Sequence, residues 1–220
     1  RNELALKYLV SACAGLGRYL DAIEHQRQRI RLAPHTEHEA LQRELALLEL
    51  KLVETTHPAR SKERRAGLED VLRRHREFEP ALEQLGDMSR DELDIETASK
   101  YYVRAYRSSS QVRYLDKIAT LWIGADQPDR MVAVIRSLIS AGELSSRAAF
   151  EGRVYFTALL LKLENTDEAL AWYRELAHLA PPSANLARAR RLIDALVQRK
   201  QGSPSEAFDT LVTLFEGESP

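Results

Sequence analysis

The chain has 220 residues, of which 44% are hydrophobic and 30% charged, as is usual for a soluble protein with an apolar core. Its formal net charge is −1, which gives no overall field that would favour nucleic acid or an anionic membrane. A single cysteine excludes an internal disulfide framework, and no apolar run approaches the roughly 18 residues that a transmembrane helix needs. The chain starts at Arg1 and shows no signal peptide, so we expect it to be a segment of a longer protein.

Helix-forming residues dominate the chain. Leu, Ala, Arg and Glu are abundant, and the 9 glycines and 8 prolines fall mostly where helices would end. The β-branched residues never alternate with polar ones over a long stretch, so we predict no strand. The pattern predicts an all-α chain of eleven helices, at residues 3–16, 19–33, 37–54, 60–78, 90–107, 110–124, 128–141, 146–163, 167–179, 183–200 and 204–216.

The N-terminal part of the chain, up to Pro34, forms the clearest of several repeated units. Gly17 marks a tight turn between two antiparallel helices, and Tyr19 is expected to pack back across it. Ala22 is small enough for the two helix axes to approach closely. Pro34 ends the second helix, because proline cannot donate a hydrogen bond in a helix interior. Six positions carry the unit: Leu9, Gly17, Tyr19, Ala22, Leu32 and Pro34.

Part of the same spacing returns near the end of the chain. The interval from Ala169 to Pro181 equals that from Ala22 to Pro34. Weaker copies flank the second unit, with Met131, Ala169 and Ala207 equally spaced along the chain. Each of these last three positions follows a polar turn, so each is expected to begin a helix.

This spacing resembles that of the tetratricopeptide-repeat family. The resemblance implies an α-solenoid of antiparallel helix pairs that wind into a right-handed superhelix, with partners bound on the concave face. The interval from Met131 to Ala169 is slightly longer than the family's usual period of ~34 residues, so we expect the additional residues in the loops at 142–146 and 181–183.

We expect the whole chain, residues 1–220, to form one solenoid segment. Its N-terminal repeats would span 1–78 and its C-terminal repeats 111–220. The centre, 79–110, is expected to be irregular, because a Gly86-Asp87 turn breaks the period there.

Four short runs give a narrower resemblance to the lipopolysaccharide-assembly B proteins of bacteria: residues 78–87, 114–118, 153–156 and 163–170. In that family, membrane-anchored repeats on the cytoplasmic side act as an adaptor between a membrane protease and the deacetylase of lipid A synthesis. The resemblance implies a non-catalytic protein-binding adaptor in cell-envelope assembly, in contact with the membrane only through segments outside this chain. Two alternatives stay open: a periplasmic scaffold for exopolysaccharide export, and a structural spacer or homo-oligomerisation module.

The residues that could carry chemistry form no pattern typical of catalysis. His35 and His38 could share a helix face beside Glu37 and Glu39, but a metal site normally needs three or four well-placed ligands. Cys13 is interpreted as a small buried hydrophobic residue. We therefore predict no enzyme activity, no metal and no cofactor.

Two clusters suggest partner binding, each with a structural alternative. The run 60–76 has a local excess of about four positive charges, which suits an acidic partner or a lipid surface, or else a solvated helix face. The second cluster holds the residue types enriched in interface hot spots, although its tyrosines could equally belong to the core. Its members are Tyr101, Tyr102, Arg104, Tyr106, Arg107, Arg113 and Tyr114.

The repeat pattern also selects the residues expected to face a protein partner. A peptide or helix held in the concave groove would meet polar and charged side chains on the first helix of each pair. Together with two tyrosines of the second cluster, the expected partner-binding residues are Lys7, Ser11, Tyr102, Tyr106, Arg113, Asp116, Thr120, Glu151, Ala158 and Lys162.

Overall fold

The computed structural model describes residues 2–141 and 144–216. Within these ranges every regular element is a helix and no strand occurs, so the all-α prediction is confirmed for this part of the chain. The chain divides into two compact units, Arg1–Ser109 and Ser110–Pro220.

Unit 1 is a series of helices in which each packs against the next along the chain. Short connections between neighbours let the amphipathic faces of successive helices bury one another. The bounds are α1 (Asn2–Gly15), α2 (Tyr19–Leu32), α3 (His38–Thr56), α4 (Lys62–Arg74), α5 (Glu79–Asp91) and α6 (Ile95–Ser109), with a 3-10 helix at His35–Glu37.

Unit 2 contains six further helices. Its first helices of successive pairs also contact one another, α7 with α9 and α9 with α11, so these three lie side by side. The bounds are α7 (Val112–Gly124), α8 (Pro128–Ser140), α9 (Ser146–Lys162), α10 (Thr166–Ala177), α11 (Ala184–Lys200) and α12 (Pro204–Glu216).

Local sequence signals locate several helix ends correctly. Gly17 occupies the α1–α2 turn with a φ of 73°, and helices begin at Pro128, Thr166 and Pro204 after the three polar turns. Ala22 and Ala169 are fully buried, as positions of close helix approach require. Of the expected loop at 142–146, residues 142 and 143 lie outside the described residues.

The turn expected at Gly86-Asp87 is wrong for this fold. Residues 79–110 contain α5 and α6, and this helix hairpin is regular. Gly86 and Asp87 lie in the middle of α5, not in a turn, and α4 ends at Arg74 instead of continuing to residue 78. The ring of Tyr102 packs directly on Gly86, which leaves no space for a side chain there. This glycine therefore marks a close contact between α5 and α6.

One type of turn recurs between paired helices in both units. In each case one residue after the first helix has a positive φ, and its N–H and the next N–H bond back to carbonyls of the last helical turn, as in a Schellman motif. These residues are Gly17, Leu93, Asp126, Glu164 and Gly202, with φ of 73°, 63°, 56°, 61° and 87°. The last three have the same equal spacing as the repeat positions in the sequence, so the sequence period corresponds to a repeated backbone geometry.

Leu93 provides a direct test of this turn. A left-handed backbone disfavours any residue with a Cβ, and the Leu93 side chain is 81% exposed, so it contributes little packing in return. We expect Leu93→Gly to raise the free energy of unfolding by about 0.5–1 kcal/mol in urea titrations. Leu93→Ala is the control, because alanine keeps the Cβ; an equal gain from both variants would contradict the conformational explanation.

Candidate functional site

The structure separates the ten expected partner-binding residues into exposed and buried groups. Lys7 and Ser11 are exposed on α1 of unit 1. Tyr102 and Tyr106 are fully buried within unit 1, so their rings are not available to a partner. Both are core residues, which was the structural alternative for the tyrosines of this cluster. The remaining six lie on α7 and α9 of unit 2.

Tyr102 has a structural role that explains its burial. Its hydroxyl donates a hydrogen bond of 2.7 Å to Oδ1 of Asp87 on α5, while its ring covers Gly86. Burial, followed by the hydrogen bond to Asp87, raises the pKa of Tyr102 well above its usual value. The side chain therefore stays a neutral donor and fastens α6 to α5.

In unit 2, six of the expected residues form what we call the α7–α9 face. Arg113, Asp116 and Thr120 are exposed along one side of α7, at spacings of three and four residues. On α9, Glu151, Ala158 and Lys162 recur at helical spacing and are half-buried or exposed. The two sides are joined because Tyr155 of α9 donates a 3.1 Å hydrogen bond to Oδ1 of Asp116.

Several charges on the α7–α9 face already have internal contacts. Arg113 donates to the hydroxyl of Tyr114 at 2.6 Å, with its guanidinium carbon 4.7 Å from the centre of that ring. Glu151 accepts from Arg147 at 2.8 Å. Burial, together with the negative charge of Asp116, raises the pKa of Tyr155 well above its usual value, so this hydroxyl stays neutral.

Unit 1 contains a second candidate surface, a shallow pocket of about 420 Å³ between α4 and α6. We call it the Arg-Tyr pocket. Its residues come from both clusters noted in the sequence. Arg73 and Arg76 belong to the basic run at 60–76, and Tyr101 and Arg104 belong to the second cluster, at 101–114, which we call the Tyr-Arg cluster. Its lining residues are Glu69, Leu72, Arg73, Arg76, Tyr101 and Arg104.

The basic run is divided between structural and exposed roles. Four of its arginines pair with groups on α3 or at α5: Arg60 with Asp91 at 2.8 Å, Arg64 with Gln84 at 3.0 Å, Arg65 with Glu92 at 2.7 Å and Arg74 with Glu49 at 2.9 Å. These contacts hold α4 in place. Arg73 and Arg76 instead reach the Arg-Tyr pocket.

The arginines of the Arg-Tyr pocket differ in how strongly they are held. Arg104 is fixed by a 2.6 Å hydrogen bond to the carbonyl of Arg76, and Arg73 forms an exposed pair with Asp70 at 2.6 Å. The Arg76 guanidinium has no hydrogen-bond or ion-pair partner within residues 2–141 and 144–216. Burial and the nearby carboxylate of Glu69 raise the pKa of Tyr101, which keeps its hydroxyl protonated as a donor. Of the three arginines, Arg73 and Arg104 pair with Asp70 and Glu77 at 2.6 and 3.5 Å, so Arg76 is the cation that a partner's carboxylate can engage most directly.

The possible reactive residues do not come together in the described part of the chain. There, no group of three or more His, Cys, Asp or Glu side chains is placed to hold a metal ion. The rings of His35 and His38 meet edge to face at 4.7 Å, and Nε2 of His38 lies 3.0 Å from the carbonyl of Ala33. Cys13 is buried in α1.

None of the described helices combines the length and apolarity needed to cross a bilayer. Comparison of the sequence with protein-family models gives no match, and comparison with curated proteins gives none either. The geometry of the two exposed surfaces is therefore the basis for assigning a function.

Proposed function

We propose that this chain is a non-catalytic protein-binding scaffold built from tetratricopeptide-like helical repeats. In this proposal the helix pairs wind as an α-solenoid with right-handed superhelical twist. The equally spaced turns at Asp126, Glu164 and Gly202 support this arrangement, as does the side-by-side placement of α7, α9 and α11. Such repeats leave the exposed faces of their helices free for a partner.

The Arg-Tyr pocket is the observation that carries the proposal. Arginine and tyrosine are enriched at the centres of protein interfaces, because both offer large contact areas together with hydrogen bonds. Arg76 has its donors open and Arg104 is already held in position, so a partner's carboxylate would meet a partly preorganised site. Leu72 and Tyr101 add apolar surface beside the charges. The chemistry that fits is an acidic segment of a protein with an apolar side chain next to its carboxylates.

The pathway is proposed from the sequence resemblance. In this proposal the chain is an adaptor in bacterial cell-envelope assembly, acting on the cytoplasmic face of a membrane-tethered protein. The two alternatives remain a periplasmic scaffold for polysaccharide export, and a spacer or oligomerisation module whose partner contacts lie elsewhere. These functions differ in the proteins that the chain captures, which makes them separable by one experiment.

That experiment is affinity capture from a lysate of the protein's own source, with the bound proteins quantified by mass spectrometry. We expect the double variant Arg73→Glu/Arg76→Glu to lower capture of the main partner about tenfold or more, because both substitutions place repulsive charge against an acidic segment. Lys62→Glu/Arg107→Glu makes the same change in net charge outside the pocket and should capture normally. Equal capture by both double variants would contradict binding through this pocket.

The identity of the captured proteins decides the pathway. Envelope-synthesis enzymes or a membrane protease would support the adaptor, whereas secretion components alone would support the periplasmic scaffold. Absence of any specific partner would support the spacer.

A further inference from the structure

Unit 2 contains a pocket of about 460 Å³ that belongs to neither surface described so far. It opens where the end of α8, the first turns of α9 and the α10–α11 connection meet. Its volume falls within the ~300–1,000 Å³ typical of ligand sites. We call it the Arg153 pocket, because Arg153 is the one charged side chain among the described residues that line it.

The walls of the Arg153 pocket are mainly apolar. Phe150 is almost completely buried and forms part of the floor, while Ile139, Leu144 and Leu179 contribute aliphatic side chains. Ala149, which precedes Phe150 on α9, also lines the pocket, and its single methyl group takes up little of the pocket's space. An occupant must therefore bring an apolar group of its own to displace water from these walls.

Arg153 is held in place, but two of its nitrogens donate no hydrogen bond within the described residues. Its Nη1 donates to the carbonyl of Ala149 at 3.2 Å, and its guanidinium carbon lies 5.9 Å from the centre of the Trp172 ring. Its Nε is buried and has no hydrogen-bond partner. The nearest carboxylate oxygen in its ion pair, from the mostly exposed Glu175, is 3.7 Å from this Nε, too far for a hydrogen bond. The Nη2 of Arg153 also has no hydrogen-bond partner within the described residues and, unlike Nε, is not enclosed, so Nη2 is the donor that a ligand's carboxylate can reach.

We infer that the Arg153 pocket binds the free C-terminus of a partner polypeptide whose last residue is bulky and apolar. A terminal residue carries its carboxylate and its side chain on the same Cα, so one residue can satisfy Arg153 and fill the apolar walls together. An internal Asp or Glu would bring backbone amides on both sides against those walls, where they would lose hydrogen bonds to water. The nearby N-terminus of α9, at Ser146, adds a favourable dipole for a negative charge.

This inference rests on the proposed scaffold function and adds the chemistry of one contact that a partner would make with unit 2. The probe is a fluorescein-labelled pentapeptide, Gly-Ser-Ala-Leu-Phe, titrated with the whole 220-residue chain and followed by fluorescence anisotropy. We expect saturable binding, reduced about tenfold or more when the C-terminus is amidated or when the final Phe is replaced by Ser.

Three protein variants locate the binding. Arg153→Gln removes the charge, and Ala149→Met fills the space while keeping the charge; we expect each to weaken binding about tenfold. Arg147→Gln, an exposed change nearly two turns earlier on α9, should bind as the unaltered chain does. Thermal unfolding of each variant confirms that it is folded before its affinity is compared.

Four results would overturn the inference: no saturable binding, equal binding of the amidated peptide, unchanged binding to both pocket variants, or displacement by decanoate as effective as by the free peptide. The last result would assign the pocket to lipid carboxylates. If the peptide does not bind but the chain still captures its partner through the Arg-Tyr pocket, only this inference is refuted. Failure of both measurements refutes the scaffold function as well.

Discussion

Replacing Glu49 by alanine is expected to lower the free energy of unfolding by about 3 kcal/mol, the largest single effect that we predict. The Glu49 side chain on α3 is only 4% exposed and is surrounded by two arginines and one histidine. Its Oε1 accepts from Arg27 of α2 at 3.0 Å, and its Oε2 lies 2.9 Å from Nε of Arg74 and 3.2 Å from Nε2 of His75. One carboxylate thus joins α2, α3 and the end of α4.

The expected size follows from what is left behind when the carboxylate is removed. Breaking a buried ion pair costs roughly 3–5 kcal/mol, because the remaining charge is left buried without a partner. Arg27 and Arg74 are nearly half exposed and can turn towards water, which places Glu49→Ala at the lower end of that range.

Urea titration followed by circular dichroism measures the effect. Glu49→Gln keeps the shape of the side chain and one of its two acceptor oxygens while losing the charge, so we expect a smaller loss of about 1–2 kcal/mol. Asp21→Ala removes an exposed pair with Arg18 and should change stability by about 0.5 kcal/mol or less. A loss for Glu49→Ala no larger than that for Asp21→Ala would show that the cluster does not stabilise unit 1.

Gly86→Ala is expected to lower the free energy of unfolding by about 2 kcal/mol. Alanine favours helix over glycine by about 1 kcal/mol, which alone would make this change stabilising. A Cβ at position 86 would, however, lie 2.5 Å from Cε1 and 2.8 Å from Cδ1 of Tyr102. That ring cannot move aside easily, since it is fully buried and its hydroxyl is bonded to Asp87.

A double-mutant cycle with Tyr102→Leu tests this explanation. The smaller side chain gives room for a Cβ, so Gly86→Ala should be less harmful in that background by about 1 kcal/mol or more. Gly15→Ala, at the end of α1 with no atom within 4 Å of the added Cβ, should be neutral or slightly stabilising. Additive effects in the cycle would contradict a clash between these two residues.

Gly86 also shows why part of the fold is predictable from the sequence and part is not. Signals that act within a few residues locate helix ends well, as at Gly17 and Pro128, because a turn depends on local backbone geometry. In the sequence Gly86 resembles a turn residue. In the structure it lies inside α5, where the absence of a side chain makes room for the ring of Tyr102 on the next helix. The turn itself follows at Leu93, where no glycine marks it.

The candidate sites show the same division. The sequence indicates both the basic run and the Tyr-Arg cluster, but only the fold shows that α4 and α6 line one pocket, in which Arg76 and Tyr101 lie together. Packing of α6 against α5 removes Tyr102 from the candidates by burying it. Nothing in the sequence distinguishes Glu49 from the many other carboxylates, because its partners Arg27 and Arg74 lie on other helices, far from it in the chain.

The most direct test of the central claim is hydrogen–deuterium exchange of the chain with and without the protein that it captures. The scaffold proposal predicts that partner binding slows exchange around Leu72–Arg76 and Tyr101–Arg104, the segments that form the Arg-Tyr pocket, and that Arg73→Glu/Arg76→Glu abolishes this protection. Protection confined to other segments, such as the α7–α9 face, would contradict recognition through the pocket. A partner that leaves exchange unchanged throughout the chain would contradict the scaffold function itself.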